Sequence, residues 1–242
     1  VLFSPDLGGS FIEARLIKPG YALPIFYDSV EQLLNAMPED VAGQNGFNAY
    51  FGVCLRSRRE GTKDAIRFVR CLWADVDAKQ FSGGKPEALR RLREFAFSPT
   101  IIIDSGHGYH AYWLLKEPEE ITGSADVARI EAHLKVLASA LGADRQAAEL
   151  ARVLRLPGTF NVKDPSAPVP VTIEALEPER QYNFSEFTDL LSVNIPAASS
   201  QLPHTAEAPS GAQDWSQKLL TGCKFLRWAT THQAEVSEPL WY

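Results

Sequence analysis

The sequence predicts a mixed α/β (α+β) domain. Three observations carry that reading. Val127, Ile130, Leu134, Leu137, Ala138 and Leu141 form an apolar stripe at helical spacing. Residues 47–55 and 68–78 are β-rich runs. Residues 100–103 and 110–115 flank the glycine-bearing turn Asp104-Ser-Gly-His-Gly108, the pattern of a β-hairpin.

In chain order, residues 22–38 read as a helix. Asp28 or Ser29 can cap it, and Val30, Leu33, Leu34 and Met37 follow at helical spacing. Residues 47–55 give a first strand through Phe47, Tyr50, Phe51, Val53 and Leu55. Residues 68–78 give a second, which Ser82-Gly83-Gly84-Lys85-Pro86 breaks. Residues 86–97 form a helix with Leu89, Leu92 and Phe95 on one side. The hairpin follows, then the helix over 127–141. A shorter helix is expected over 145–153, stopped by Pro157-Gly158. Residues 160–162 and 169–173 look like final strands. Residues 195–214, rich in Ala, Ser and Pro, read as a linker after a domain over 1–194. Residues 215–242 resume aromatic, helix-like sequence.

The 242 residues suffice for one large domain or two small ones. At 45% apolar and 22% charged, the composition is that of a globular protein. No apolar run approaches the ~18 residues of a membrane span, and the start carries no basic, signal-like region. The first residue is Val1 and the only Met is Met37, so a piece of a longer protein is expected. Three cysteines, Cys54, Cys71 and Cys223, lie too far apart for a zinc motif or a disulfide framework, and a reducing cytoplasm is the default. The formal charge of −6 excludes a uniformly basic nucleic-acid coat. It leaves room for a local one. Arg56, Arg58, Arg59, Lys63, Arg67 and Arg70 crowd one segment. Arg90, Arg91 and Arg93 follow, then Arg145, Arg152, Arg155 and Lys163.

Three groups of residues can do chemistry. In Asp75-Val76-Asp77, alternate strand positions put both carboxylates on one face and Val76 toward the core. Two adjacent carboxylates repel unless a cation lies between them, and a hard ion such as Mg²⁺ suits them. In the hairpin loop, the glycines let backbone N–H groups approach an anion, and Ser105 or His110 can add donors to a phosphate. His110 is favoured over His107 because it starts the returning strand. Near the forced turn at Pro157-Gly158, Arg152, Arg155 and Lys163 can hold a triphosphate or a template backbone. Asp144 reads equally as a third carboxylate or as a helix N-cap.

The motifs Leu72-Trp-Ala-Asp75-Val-Asp77, Ser105-Gly-His-Gly-Tyr-His110, Ala143-Asp144 and Arg155-Leu-Pro-Gly-Thr-Phe-Asn-Val-Lys163 stand in an order that resembles the archaeo-eukaryotic primase superfamily. The likeness is to its prim-pol and RepB-like members in phages, plasmids and CRISPR-linked loci, over residues 47–173. The resemblance implies a fold whose RRM-like sheet carries the site. It implies a metal site of Asp75, Asp77 and Asp144, with Glu149 as the alternative third ligand. It implies nucleotide phosphates held by Gly108 and His110; Ser105, Arg155 and Lys163 are the further candidates from their own chemistry, and Arg56 and Arg58, nearest the end of the first strand, are expected within reach of the triphosphate. Two Mg²⁺ or Mn²⁺ ions, nucleoside or deoxynucleoside triphosphates and a single-stranded DNA template are the expected cofactors and partners. Gly222-Cys-Lys-Phe225 through Trp241 resembles the start of a small helical primase C-terminal domain, which a helicase often follows. The resulting expectation is template-directed nucleotidyl transfer. A non-catalytic replication-initiator module on the same fold is the second reading, and the carboxylates argue against it. A His-based nicking enzyme is the third. Two residues separate His107 and His110 on a turn, so they do not share a strand face. The template is expected to meet the segment from Arg59 to Arg70, with the Arg90–Arg93 cluster next.

Overall fold

A computed structural model describes residues 2–3, 7–36 and 46–188. The linker and C-terminal segment expected over 195–242 lie outside the described residues.

The chain opens with strands β1 (Ile12–Lys18) and β2 (Tyr21–Tyr27). They pair antiparallel with Lys18 opposite Tyr21, leaving Pro19 and Gly20 as the turn. Pro followed by a glycine at φ +75 is the residue pattern of a type II turn. This corrects the helix expected over 22–38. Its first half is a strand, because Pro24 would break a helix and Tyr21, Ile25, Phe26 and Tyr27 suit a strand. Pro24 is tolerated because β2 pairs only with β1 and is an edge. The helix α1 covers Val30–Ala36, with Ser29 Oγ accepting from the Gln32 N–H at 3.1 Å.

Strand β3 (Asn48–Gly52) joins β1, and β7 (Val153–Arg155) joins β3, giving a first sheet ordered β2-β1-β3-β7. The helix expected over 145–153 reduces to a 3₁₀ turn, Arg145–Ala147. The pairing of Phe51 with Leu154 takes the residues beyond it into the sheet, where two neighbours decide over local propensity.

The second sheet holds β4 (Phe68–Asp77), β5 (Ile101–Asp104) and β6 (Gly108–Glu120). Helix α2 (Gly84–Glu94) links β4 to β5, and α3 (Ser124–Leu141) follows β6. β6 runs antiparallel to both β4 and β5 and lies between them. This is the RRM-like arrangement expected, in which β4 and β5 run the same way and need the crossover helix. β8 (Phe160–Asn161) and β9 (Val169–Pro170) make a small ladder. β10 (Thr172–Leu176) extends the β5 edge, and β11 (Gln181–Tyr182) lies parallel to β6 beyond β5.

The main core gathers Cys71, Leu72, Trp73 and Trp113 from the sheet, Ala88 and Leu92 from α2, and Ile130, Leu134 and Leu137 from α3. Phe51 and Tyr112 rings 6.3 Å apart join the two sheets. A smaller cluster of Leu7, Ile12, Ala14, Tyr27 and Leu33 sits under the first hairpin. No helix among the described residues is long and apolar enough to cross a membrane.

Candidate active site

Strand β4 ends at the mouth of a cleft of about 490 Å³. Asp75 and Asp77 both line it, and Val76 between them is buried. Period-2 alternation thus delivers the two carboxylates to one face, as the sequence predicts. Directly across the ladder, Asp75 faces His110 and Asp77 faces Gly108. The pairing is tight at Gly108, where a Cβ would come 2.2 Å from the Val76 carbonyl oxygen. Only glycine fits there.

Each carboxylate already has a cation. Arg152 Nη2 lies 3.6 Å from Asp75 Oδ2, and His110 Nε2 lies 3.8 Å from Asp75 Oδ1. Lys79, on the turn after β4, puts Nζ 2.6 Å from Asp77 Oδ2 and donates its backbone N–H to Asp77 Oδ1 at 3.2 Å. Burial pushes the Asp77 carboxyl up, but the Lys79 contacts outweigh it and hold the group below the usual carboxylate range. The two acids are therefore not left to repel each other unpaired. The sequence hides Arg152 because it arrives from a segment 77 positions after Asp75.

His110 is buried, and burial pushes its imidazole down to about 4, with Asp75 opposing and Arg155 and Arg152 assisting. It is neutral near pH 7 in this state, and its Nδ1 has no hydrogen-bond partner. Ser105, His107, Gly108, Arg155 and Lys163 also line the cleft. Arg155 packs its guanidinium over the Tyr50 ring at 5.0 Å and donates to Asn48 Oδ1. Asn161 Nδ2 donates to the Ser105 carbonyl at 2.8 Å, tying β8 to the hairpin loop.

Other predicted residues fall elsewhere. Arg56 is fully buried, with Nη2 2.7 Å from Glu13 Oε2 and donating to the Ala151 carbonyl at 3.0 Å. Arg58 pairs with Glu60 and Asp64 on the surface. Neither lines the cleft, so their expected contact with nucleotide phosphates is corrected: nearby acids claim both guanidinium groups. Glu149 is half-buried, 3.9 Å from Lys63 Nζ, and is also outside the cleft lining. Asp144 N–H donates to the Asp75 carbonyl at 2.9 Å, which holds it beside the site. Its Oδ1 caps the 3₁₀ turn by accepting from Gln146 N–H at 2.8 Å. The N-cap reading is thus realised, and Asp144 does not line the cleft. Sequence reasoning missed Lys79, Tyr50 and Asn161. Lys79 alone carried a local signal, being two residues past the second aspartate.

The donor chemistry fits a hard divalent cation. Two carboxylates on one strand face open to a polar cleft, and Mg²⁺ is commonly held by one or two carboxylates with water and substrate phosphate completing its shell. Among the described residues, no three His, Cys, Asp or Glu side chains converge at ligand spacing.

Residues 48–197 match the RepB DNA-primase N-terminal domain family. The chain belongs to that family. Three solved structures share its fold. The AEP domain of the cyanophage S-2L primase-polymerase superposes with a TM-score of 0.54 at 18% identity, over 75% of this chain and 89% of that one. Primase RepB′ gives 0.51 at 16% identity, over 93% of this chain and 64% of that one. The catalytic domain of primase RepB′ in complex with initiator DNA gives 0.50 at 17% identity, over 76% and 84%. No curated protein matches this chain. The primase domain therefore has the archaeo-eukaryotic primase fold that its motif order implies, and its matched region holds the whole cleft.

Proposed function

We propose that this chain is a template-directed DNA primase-polymerase domain that joins nucleotides to a 3′-hydroxyl on single-stranded DNA. One observation carries the reading. Asp75 and Asp77 enter the same cleft as the Ser105–His110 hairpin, Arg152, Arg155 and Lys163.

Acids and cations facing one another across a cleft suit a substrate that carries both phosphates and metal. Mg²⁺ or Mn²⁺, two ions by the family resemblance, supplies charge neutralisation and activation of the attacking hydroxyl when bound. Asp75 and Asp77 are the residues to hold it. The Ser105 hydroxyl, the Gly108 backbone and His110 face the phosphates. His110 enters as a neutral donor, so phosphate recognition leans on Arg155 and Lys163 for charge. Gly108 lets the phosphates approach the backbone without a side chain between them.

The test is primer extension on a single-stranded template with labelled nucleotides and Mg²⁺ or Mn²⁺, with and without a primer. Incorporation by the wild type and its loss in Asp77→Asn support the reading. DNA binding without incorporation under any metal would favour the non-catalytic initiator module.

A further inference from the structure

We propose that Lys85 and Asp104 form a clamp that positions the hairpin loop 105–108 and thereby sets nucleotide affinity; this rests on the nucleotidyl-transfer reading. Lys85 Nζ lies 2.7 and 2.6 Å from the two Asp104 carboxylate oxygens and 3.2 Å from the Gly106 carbonyl oxygen. Asp104 Oδ1 accepts from the Gly106 N–H at 2.8 Å. One ammonium and one carboxylate therefore hold both polar groups of the same residue.

Gly106 is where the loop needs holding. Its φ of +96 suits glycine, and a Cβ there would meet Asn161 Nδ2 at 3.1 Å. The rest of the loop is tied from other directions. Asn161 holds the Ser105 carbonyl, and the Ala78 N–H donates to the His107 carbonyl at 3.1 Å. Without the clamp, Gly106 keeps no bond of its own to the body of the domain, and Ser105 and His107 on either side lose a fixed aim.

Lys85 is itself well anchored. It sits in the first turn of α2, where Glu87 Oε2 accepts from the Gly83 N–H at 2.8 Å. Its Nζ also lies 5.4 Å from the Tyr109 ring centroid. Neither Lys85 nor Asp104 lines the cleft. They are positioning residues, acting through the loop rather than on the substrate.

The experiment compares wild type, Lys85→Met, Lys85→Arg, Asp104→Asn and the double variant Lys85→Met/Asp104→Asn. Steady-state extension gives kcat and nucleotide KM, and amide hydrogen exchange reports on residues 105–108. In Lys85→Met the nucleotide KM rises about tenfold while kcat stays within about twofold. Loop exchange quickens while that of α3 is unchanged. Lys85→Arg restores most of the affinity. The double variant is no worse than either single one, because the two residues form one unit. An unchanged KM overturns the clamp. So does additivity in the double variant, or equal quickening of exchange throughout the domain. A wild-type chain that incorporates nothing overturns the nucleotidyl-transfer reading instead. Loop exchange then still decides the clamp, which unchanged exchange overturns.

Discussion

At Asp75 and Asp77 the cations around each carboxylate decide what a substitution does. Two acids left to repel each other would let stability hold or rise when one is removed. Arg152 and Lys79 change that sign of argument, since each acid already has a partner. These pairs, their carboxylates half-buried, stay open to water in the cleft and contribute about 0–1 kcal/mol, so Asp75→Asn and Asp77→Asn should melt close to wild type. Nucleotide incorporation should fall roughly a hundredfold or more, the scale of losing a group aimed at developing charge. Wild-type extension rates in either variant, in both Mg²⁺ and Mn²⁺, would remove these residues from the metal site. On the proposed function the neutral His110 ring would donate a hydrogen bond worth about 1 kcal/mol to the nucleotide, so His110→Ala should raise nucleotide KM roughly five- to tenfold. His107 is exposed at the loop tip, and His107→Ala should change KM by less than about twofold on the same scale. Titrating nucleotide against both variants separates them, and equal defects would shift the contact to the tip.

The hairpin is the element whose making was most legible in the sequence. An apolar run, a glycine turn and a returning run fix its register, and β4 could be read the same way. The cleft face followed from alternation alone. What the sequence hid was partnership between distant segments. β2 fell inside the helix expected over 22–38 because that reading was extended back from Val30, Leu33, Leu34 and Met37, and only Pro19-Gly20 and Pro24 argue otherwise. The helix expected over 145–153 ran into the first residue of β7, whose strand character comes from pairing with β3. Gly108 shows how narrow the element's tolerance is: the 2.2 Å approach to Val76 means that Gly108→Ala must part β4 from β6 at the cleft. That variant should lower Tm and lose nucleotide binding together, and a variant that keeps both would mean the ladder can open there freely. At α3, Asp126 Oδ2 accepts from both the Thr122 hydroxyl at 2.7 Å and the Thr122 N–H at 3.0 Å. These bonds hold its carboxyl below the usual value. A carboxyl depressed in the folded state stabilises above its unfolded value and loses that contribution as pH falls through the folded one. Asp126→Asn should therefore melt below wild type at neutral pH, with the gap closing as the medium becomes strongly acidic. A gap independent of pH in thermal melts would assign the effect to something other than this cap.

Across the whole molecule, internal ion pairs decide which cations remain for DNA. Glu13 and Arg56, both fully buried, connect β1 to the segment that delivers Arg152, through the Ala151 carbonyl. Removing one partner of a buried pair costs about 3–5 kcal/mol, so Glu13→Gln should lower unfolding stability in urea by that order. The neighbouring basic segment was expected to meet the template, yet most of it is spoken for. Arg59 Nη2 lies 3.0 Å from Asp28 Oδ2, and Lys63 Nζ lies 2.8 Å from Glu131 Oε1. Arg67 and Arg70 make no ion pair among the described residues. Arg70 stands toward the opposite end of β4, about 20 Å along the strand from the carboxylates at ~3.3 Å per residue, and Arg67 precedes the strand. Lys163, by contrast, lines the cleft and makes no ion pair among the described residues. Each phosphate contact on single-stranded DNA contributes a slope of about −0.7 in log affinity against log salt. Replacing Arg59 and Lys63 together with alanine should therefore leave the measured slope unchanged, because those charges are already neutralised by acids. With no nucleotide in the cleft to occupy it, Lys163 is left to meet a DNA phosphate, so in nucleotide-free binding Lys163→Ala should flatten the slope by about 0.7, one contact's worth. Fluorescence anisotropy with a labelled oligonucleotide over a salt series reads both. Flattening by the Arg59/Lys63 pair would mean that DNA pulls these cations off Asp28 and Glu131, and would return the template path to the segment before β4.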